Sequence, residues 1–354
     1  MYGIFDRYIG KNMLLAVSLI AISLTVFTTI ITLIDKMRYI GRGSIDFFFV
    51  CEYVLLLTPG IFVTFFPVAV LIGGVIAMGS MSKSSELVVL QSLGLSKLRI
   101  ALSALKSLFP AIIVVLLVGE FLAPPMEQYA ENRYAVLSSK GQLSVTKSGV
   151  WLKEGQSFIG IHLTMVDGSI RDVLRYDYDG VKLKRKSHAK TGFYRDGIWV
   201  MGEVSCWDYY ADRVEVSYDS TQNWELNLNP ERMDVIGNSG NYLTVKGLLD
   251  YISYLDENGQ DSDRYRLELY SKFMQPFIMV VMLFLALSTV FGSMRNLTMS
   301  TRLLTGIAMG FGYYVVNQVL VPFSLVYGIP PSLGASLATL LFGGLAVYLL
   351  SRKV

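Results

Sequence analysis

Long apolar runs alternate along the chain with stretches of ordinary polarity. Six runs are nearly free of charge: residues 13–34, 53–78, 100–123, 273–291, 303–325 and 332–350. Each is 19 to 26 residues long, and a helix needs about 20 to cross a hydrocarbon core. Their 133 residues contain two charges, Lys106 and Glu120, each near an end of its run, where a long side chain reaches the interface. The pattern predicts six transmembrane helices. The first run exceeds the roughly 7–15 residue core of a signal peptide, and no small-x-small cleavage site precedes Asp35, so a retained helix is expected.

Between the third and fourth runs the period changes. Apolar and polar residues alternate near residues 150–153, 158–162, 173–178, 181–190, 198–205 and 213–218, with Asp167-Gly168, Asp179-Gly180 and Asp196-Gly197 as turn signals. Many short strands with such turns predict an antiparallel sandwich or open barrel. A helix is expected over 245–258, capped by Thr244 and ended by Gly259, with Leu248, Leu249, Ile252 and Leu255 on one apolar stripe.

Composition agrees with two materials in one chain. Overall, 53% of the 354 residues are hydrophobic and 17% charged, with a mean hydropathy of +0.46. Outside the six runs the remaining 221 residues hold 57 charges, about 26%, the value of an ordinary soluble protein. Two cysteines (Cys51, Cys206) and two histidines (His162, His188) exclude a disulfide framework and a His/Cys metal cluster. The net charge of +3 divides into −4 for residues 124–267 and +7 elsewhere, so the insert is no cationic trap. Lys and Arg in the short loops orient the chain. With the N-terminus inside, the inner loops hold Arg7, Lys11, Lys83, Lys97, Arg99, Arg295, Arg302, Arg352 and Lys353, against Lys36, Arg38 and Arg42 outside. Both termini are therefore expected in the cytoplasm and the insert outside.

Four segments carry candidate chemistry. Residues 85–94, between the second and third runs, read as a short apolar helix: Ser85 as N-cap, Glu86 at the positive end, Gly94 at the stop. A helix this short cannot span. It lies in the interface or fills a groove on a partner. Beyond the first run, Lys36, Arg38 and Arg42 suit lipid-headgroup phosphates or plain interfacial anchoring. Lys182, Lys184, Lys186, His188 and Lys190 recur at every second position, as one face of a strand, suited to an anion or, more simply, to a solvated edge that blocks aggregation. The fifth run begins with Gly306-x-x-x-Gly310 and holds Asn317 and Gln318 near its middle, while Ala69, Gly73 and Ala77 mark the second; both patterns suit helix packing. No P-loop, no Gly-x-Ser-x-Gly, no His-Glu-x-x-His and no mid-membrane carboxylate relay occurs. A self-sufficient ion-coupled carrier is disfavoured. A sensory receptor is too, since the longest inner loop runs only about 20 residues.

Several runs together carry a resemblance. They are Asp6-Arg7-Tyr8-Ile9-Gly10-Lys11, then Ser85-Glu86-Leu87-Val88-Val89-Leu90-Gln91-Ser92-Leu93-Gly94, and Gly119-Glu120-Phe121-Leu122-Ala123-Pro124. The C-terminal third adds Tyr254-Leu255, Gly259-Gln260-Asp261-Ser262, Lys272 with Gln275-Pro276, and Val326-Tyr327-Gly328-Ile329-Pro330-Pro331. In order and spacing the whole chain resembles the lipopolysaccharide-export permease family, LptF and LptG. The last run, with Phe291-Gly292 and Thr305-Gly306, looks like the LptG branch.

The resemblance implies a half-transporter with six transmembrane helices and an external antiparallel β-jellyroll inserted between helices 3 and 4. Its divisions would be residues 1–123, 124–266 and 267–354. It implies an LptF-like second permease, two copies of an LptB-like cytoplasmic ATPase and an LptC-like single-span protein as partners, with lipopolysaccharide as substrate in the bacterial inner membrane. ATP and Mg would be bound by the ATPase, leaving this chain without cofactor or enzymatic activity. Glu86, Leu87, Val88, Leu90 and Gln91 would form the coupling helix, Lys36, Arg38 and Arg42 would meet headgroup phosphates, and Phe27, Ile31, Tyr313, Val316 and Leu320 of the first and fifth spans would line an apolar cavity for acyl chains. Thr32 departs from a lysine that some members carry.

Overall fold

A computed structural model describes residues 3–138, 150–165, 168–195, 197–210, 212–224, 226, 243–291 and 298–351. The chain divides into two compact units. One comprises Met1–Asp35, Val54–Pro125 and Asp263–Val354; the other comprises Lys36–Tyr53 and Met126–Ser262.

The first unit is helical. Six helices are long and apolar enough to cross a membrane, in agreement with the hydropathy pattern. They are built on α1 (Ile4–Met37), α2 (Phe47–Lys83), α4 (Lys97–Leu117) continuing into α5 (Ala123–Ser138), α7 (Asp263–Phe291), α8 (Met299–Val326) and α9 (Pro331–Ser351). The short α3 (Glu86–Ser92) lies between α2 and α4. On α1 the buried positions are Ile9, Met13, Val17, Ala21 and Thr25, none more than 7% exposed. Their spacing of four is one ridge of the helix, and it ends at Thr25.

Small residues set the closest approaches. A Cβ on Gly73 would stand 2.6 Å from the Val17 Cα, and one on Gly10 would stand 2.3 Å from the Ser107 Oγ. α1 therefore meets α2 backbone to backbone and α4 backbone to side chain. Gly306 and Gly310 of α8 face Val75 and Leu71 of α2, with a Cβ at either only 3.2 Å from a methyl carbon. Both small-residue patterns thus serve packing, and Ala69 and Ala77 are buried with them.

The third span was expected to end at Ala123, but the helix runs on to Ser138 through Pro124 and Pro125. A π turn, Val118–Leu122, precedes the prolines, and the Ala123 N–H donates to the Val118 carbonyl. Widening the turn there lets the helix pass two residues that lack an N–H donor. The boundary between the units accordingly falls near Pro125 and again at Ser262, and the second unit also takes in Lys36–Tyr53.

In the second unit six antiparallel strands pair in chain order: β1 (Val150–Glu154), β2 (Ser157–Thr164), β3 (Ile170–Asp179), β4 (Lys182–Arg195), β5 (Ile198–Tyr209) and β6 (Val214–Trp224). The described strands are one up-and-down sheet. The second sheet and Greek-key crossovers of a jellyroll are not among the described residues, and residues 139–149 and 227–242 lie outside them. Ile159, Ile161, Val173, Ala189, Trp199, Met201, Val204 and Trp224 form its buried face. That alternation changes phase between Ile170 and Val173 and between Met201 and Val204. Asp172 (φ 54°) and Glu203 (φ 52°), non-glycine residues in the left-handed region, sit at those points, while the strand register runs unbroken across both; it shifts instead between Asp177 and Tyr178.

Gly180, of the expected Asp179-Gly180 turn, has φ 61°; Asp167 and Asp196 of the other two lie outside the described residues. Helix α6 (Val245–Glu257) begins as expected, the Thr244 Oγ1 accepting from the Gly247 N–H at 3.1 Å. Its buried side holds Leu248, Tyr251, Ile252, Tyr254 and Leu255. Leu249, expected in the stripe, is 49% exposed, and the tyrosines fill the face instead.

Candidate functional site

Two clusters concentrate the residues picked out by sequence. The first surrounds α3. Its stop is as expected: Gly94 takes φ 88°, Leu95 N–H donates to the Leu90 carbonyl and Gly94 N–H to that of Gln91, the Schellman arrangement. Its start is not. Ser85 sits in the left-handed region at φ 63° and its side chain caps nothing. The Ser84 hydroxyl donates to Glu86 Oε1 at 2.8 Å, bonding the side chain of the first turn rather than capping its N–H groups. The other carboxylate oxygen, Oε2, accepts from the Tyr8 hydroxyl of α1, also at 2.8 Å.

The two sides of α3 differ. Leu87 and Leu90 are buried, at 3% and 7% exposure, in the core of the helical unit. Val88, Val89 and Leu93 are more than half exposed. The resemblance had assigned Leu87 and Leu90 to a partner; they instead hold α3 onto its own chain, and burial of each contributes about 1.5–3 kcal/mol. Val89 and Leu93, not singled out from the sequence, share the exposed side with Val88. In a seven-residue helix with apolar residues on every side, no stripe distinguishes inside from outside. Gln91 is half-buried. Beside α3, Tyr8, Asn12, Leu15, Ser80, Met81 and Glu86 contribute to the wall of a cavity of about 450 Å³.

The second cluster lies in the other unit, and its basic residues gather around rings that the sequence did not single out. Lys36, Arg38 and Arg42 stand 5.1, 5.3 and 5.0 Å from the centre of the Tyr39 ring. Tyr39 and Tyr53 both pack on Tyr134, with centroids 5.4 and 5.8 Å apart. Arg133 pairs with Glu52, and the Tyr53 hydroxyl donates to Glu131 at 2.5 Å. Gly43 (φ 64°) turns the chain so closely that a Cβ would strike the Leu137 carbonyl oxygen. Each cation–π contact contributes about 0.5–1 kcal/mol at such exposure. The result holds three cations on a tyrosine platform.

Of the residues expected to contact acyl chains, Phe27 and Ile31 are 63% and 49% exposed on α1. Val316 and Leu320 are partly buried against the helical core. Tyr313 is buried at 6% exposure, edge-on to Phe342 of α9 at 5.3 Å, so its ring is a packing element rather than a surface. Gln318 is exposed and donates to the Tyr314 hydroxyl at 3.2 Å. Three of the five residues in the alternating row of β4 are met locally: Lys186 lies over Tyr176 and Trp207, His188 is 2.6 Å from Asp172, and Lys190 is 2.5 Å from Glu203. The neighbouring Arg185, bonded to Asp208 at 2.6 Å, is held above its usual pKa chiefly by that carboxylate. The edge reading fails, because β4 is an interior strand paired with β3 on one side and β5 on the other, and these cations are met by side chains of those neighbours.

Six spanning helices, a β insert between the third and fourth, and a short apolar helix between the second and third define a polytopic membrane protein. The chain belongs to the family described as Lipopolysaccharide export system permease LptF/LptG, which matches over residues 7–352. It is 35% identical to Lipopolysaccharide export system permease protein LptG of Haemophilus influenzae Rd, over 100% of this chain and 99% of the relative. It is 34% identical to the protein of the same name from Escherichia coli K12, over 99% of both. Membership and the six apolar helices make it a multi-pass inner-membrane protein of the permease type.

Proposed function

We propose that this chain is the LptG-type permease subunit of an ATP-driven transporter that extracts lipopolysaccharide from the inner membrane and passes it toward the outer membrane. The observation that carries the reading is full-length family membership together with the two-sided α3. Its inner leucines lock it to the helical unit, while Val88, Val89 and Leu93 stay open to a partner. An LptF-like permease completes the pair, and two LptB-like ATPases bind and hydrolyse ATP with Mg, so this chain performs no catalysis of its own. An LptC-like single-span protein joins the assembly. The termini lie in the cytoplasm and the β unit in the periplasm, as the distribution of Lys and Arg supports.

Lys36, Arg38 and Arg42 receive headgroup phosphates, where charge-assisted bonds are strongest. Phe27, Ile31, Val316 and Leu320 meet acyl chains, whose transfer to water would cost about 0.8 kcal/mol per CH₂. The test is reconstitution of the purified assembly in vesicles loaded with lipopolysaccharide. ATP-dependent lipid release that needs this chain supports the reading. Failure of the chain to co-purify with an ATPase and a second six-span protein sinks it.

A further inference from the structure

From the geometry around Glu86 we infer that Tyr8 is a positioning residue: it ties the Glu86 carboxylate to α1 and makes α1 the direct recipient of movement imposed on α3. This rests on the reading of α3 as the element an ATPase engages. Three observations carry it. First, the Tyr8 hydroxyl bonds Glu86 Oε2 at 2.8 Å across 78 residues of sequence, while Ser84 holds Oε1. Both oxygens of the carboxylate are engaged, so its orientation depends on α1 as well as on its own turn.

Second, the same end of α1 is gripped on the opposite side. Asp6 accepts from the Ser103 hydroxyl, Ser107 donates to the Asp6 carbonyl at 3.2 Å, and Gly10 admits Ser107 against the helix backbone. The run from Asp6 to Gly10 thereby joins α1 to α3 and α4 within about one turn and a half. Third, α1 is the stiff route outward. It has no proline, and no glycine beyond Gly10, whereas α2 carries Pro59 and Pro67, and α4 carries Pro110 and ends in a π turn. Kinks absorb displacement at such points. The buried seam of α1 ends at Thr25, and Val26, Phe27, Ile30, Ile31 and Ile34 beyond it are about half or more exposed. A helix of this length extends about 51 Å at 1.5 Å per residue, so a tilt at the Tyr8 end is delivered undamped to the unpacked half.

The experiment uses the reconstituted full assembly and measures ATP hydrolysis and lipid release in the same sample. Tyr8→Phe keeps the ring and deletes the hydroxyl. The variant assembly is expected to co-purify with its ATPase but to release at least fivefold less lipid per ATP. Tyr8→Phe with Glu86→Gln should be no worse than Glu86→Gln alone, because the two side chains act through one bond. Bridging Tyr8→Cys to Glu86→Cys with a short bismaleimide should restore release per ATP, which a general loss of packing would not allow. A Tyr8→Phe ratio within twofold of the parent, or a bridge that does not restore release, overturns the inference while leaving α3 as the docking element. If Glu86→Ala and Val88→Asp both leave assembly and hydrolysis untouched, it is the reading of α3 that has failed.

Discussion

Lys272 of α7 and Glu120 of the π turn are joined by an ion pair of 3.1 Å between Nζ and Oε2, with side chains only 19% and 25% exposed. Glu120, one of two charges inside the apolar runs, therefore ends on a partner from the fourth span. The π turn is the wider turn of the third span, and this pair ties it to α7. Exposed pairs contribute about 0–1 kcal/mol, and breaking a fully buried one costs about 3–5.

Lys272→Met should thus destabilise the chain by about 2 kcal/mol, intermediate between those limits. Thermal unfolding in detergent would register it as a lower Tm. The exchange Glu120→Lys with Lys272→Glu should recover most of the loss. A recovery of nothing would mean that the bond is incidental.

The two close glycine contacts of α1 predict different genetics. Gly10→Ala drives its Cβ into Ser107 side-chain atoms, whereas Gly73→Ala drives it into the Val17 backbone. Each is expected to cost about 1–3 kcal/mol, the range for overpacking. Ser107→Gly should rescue the first, because it removes the obstructing atoms. Val17→Ala should not rescue the second, because the obstructing Cα remains. Measured Tm values for the four variants decide it.

The spans, the strands and the stop of α3 were legible because their signals are local: charge-free length, period-two alternation, and a glycine where φ must be positive. Gly94 (φ 88°) and Gly259 (φ 62°) are such cases. Other features depended on neighbours far along the chain. Ser85 looked like an N-cap, but Ser84 bonds Glu86 once Tyr8 holds that carboxylate from the other side. Pro124 read as the end of a helix, since nothing in the sequence announces a π turn. Leu249 gave its place in the stripe to Tyr251 and Tyr254. Tyr313, chosen as a lining residue by its position in an apolar run, turned inward onto Phe342. The basic cluster was visible as Lys36, Arg38 and Arg42, but its platform of Tyr39, Tyr53 and Tyr134 draws on three helical segments or turns.

That platform makes a prediction about lipid contact. A photoreactive residue at position 38 should label lipopolysaccharide in the reconstituted assembly, since Arg38 is exposed. One at position 313 should not, since Tyr313 is buried. Arg38→Ala with Arg42→Ala should weaken lipid binding by about tenfold, equivalent to about 1.4 kcal/mol, and the deficit should shrink at high salt as headgroup electrostatics are screened. Labelling from 313 but not from 38 would remove the cluster from the entry route.

The two sides of α3 separate stability from docking. Leu87 and Leu90 are inside, and a charge there without a partner is expected to cost several kcal/mol, so Leu87→Asp or Leu90→Asp should lower Tm and yield. Val88 and Val89 stand on the open side at 53% and 56% exposure. Val88→Asp or Val89→Asp should leave Tm within about 1 °C, because exposed substitutions stay within about 0.5 kcal/mol, yet reduce the ATPase recovered on co-purification severalfold, because an apolar contact becomes a buried charge only when the partner closes over it. Equal losses of stability from both pairs would show that α3 has no free face. A normal ATPase yield with Val88→Asp and Val89→Asp combined would place the docking surface elsewhere on the chain.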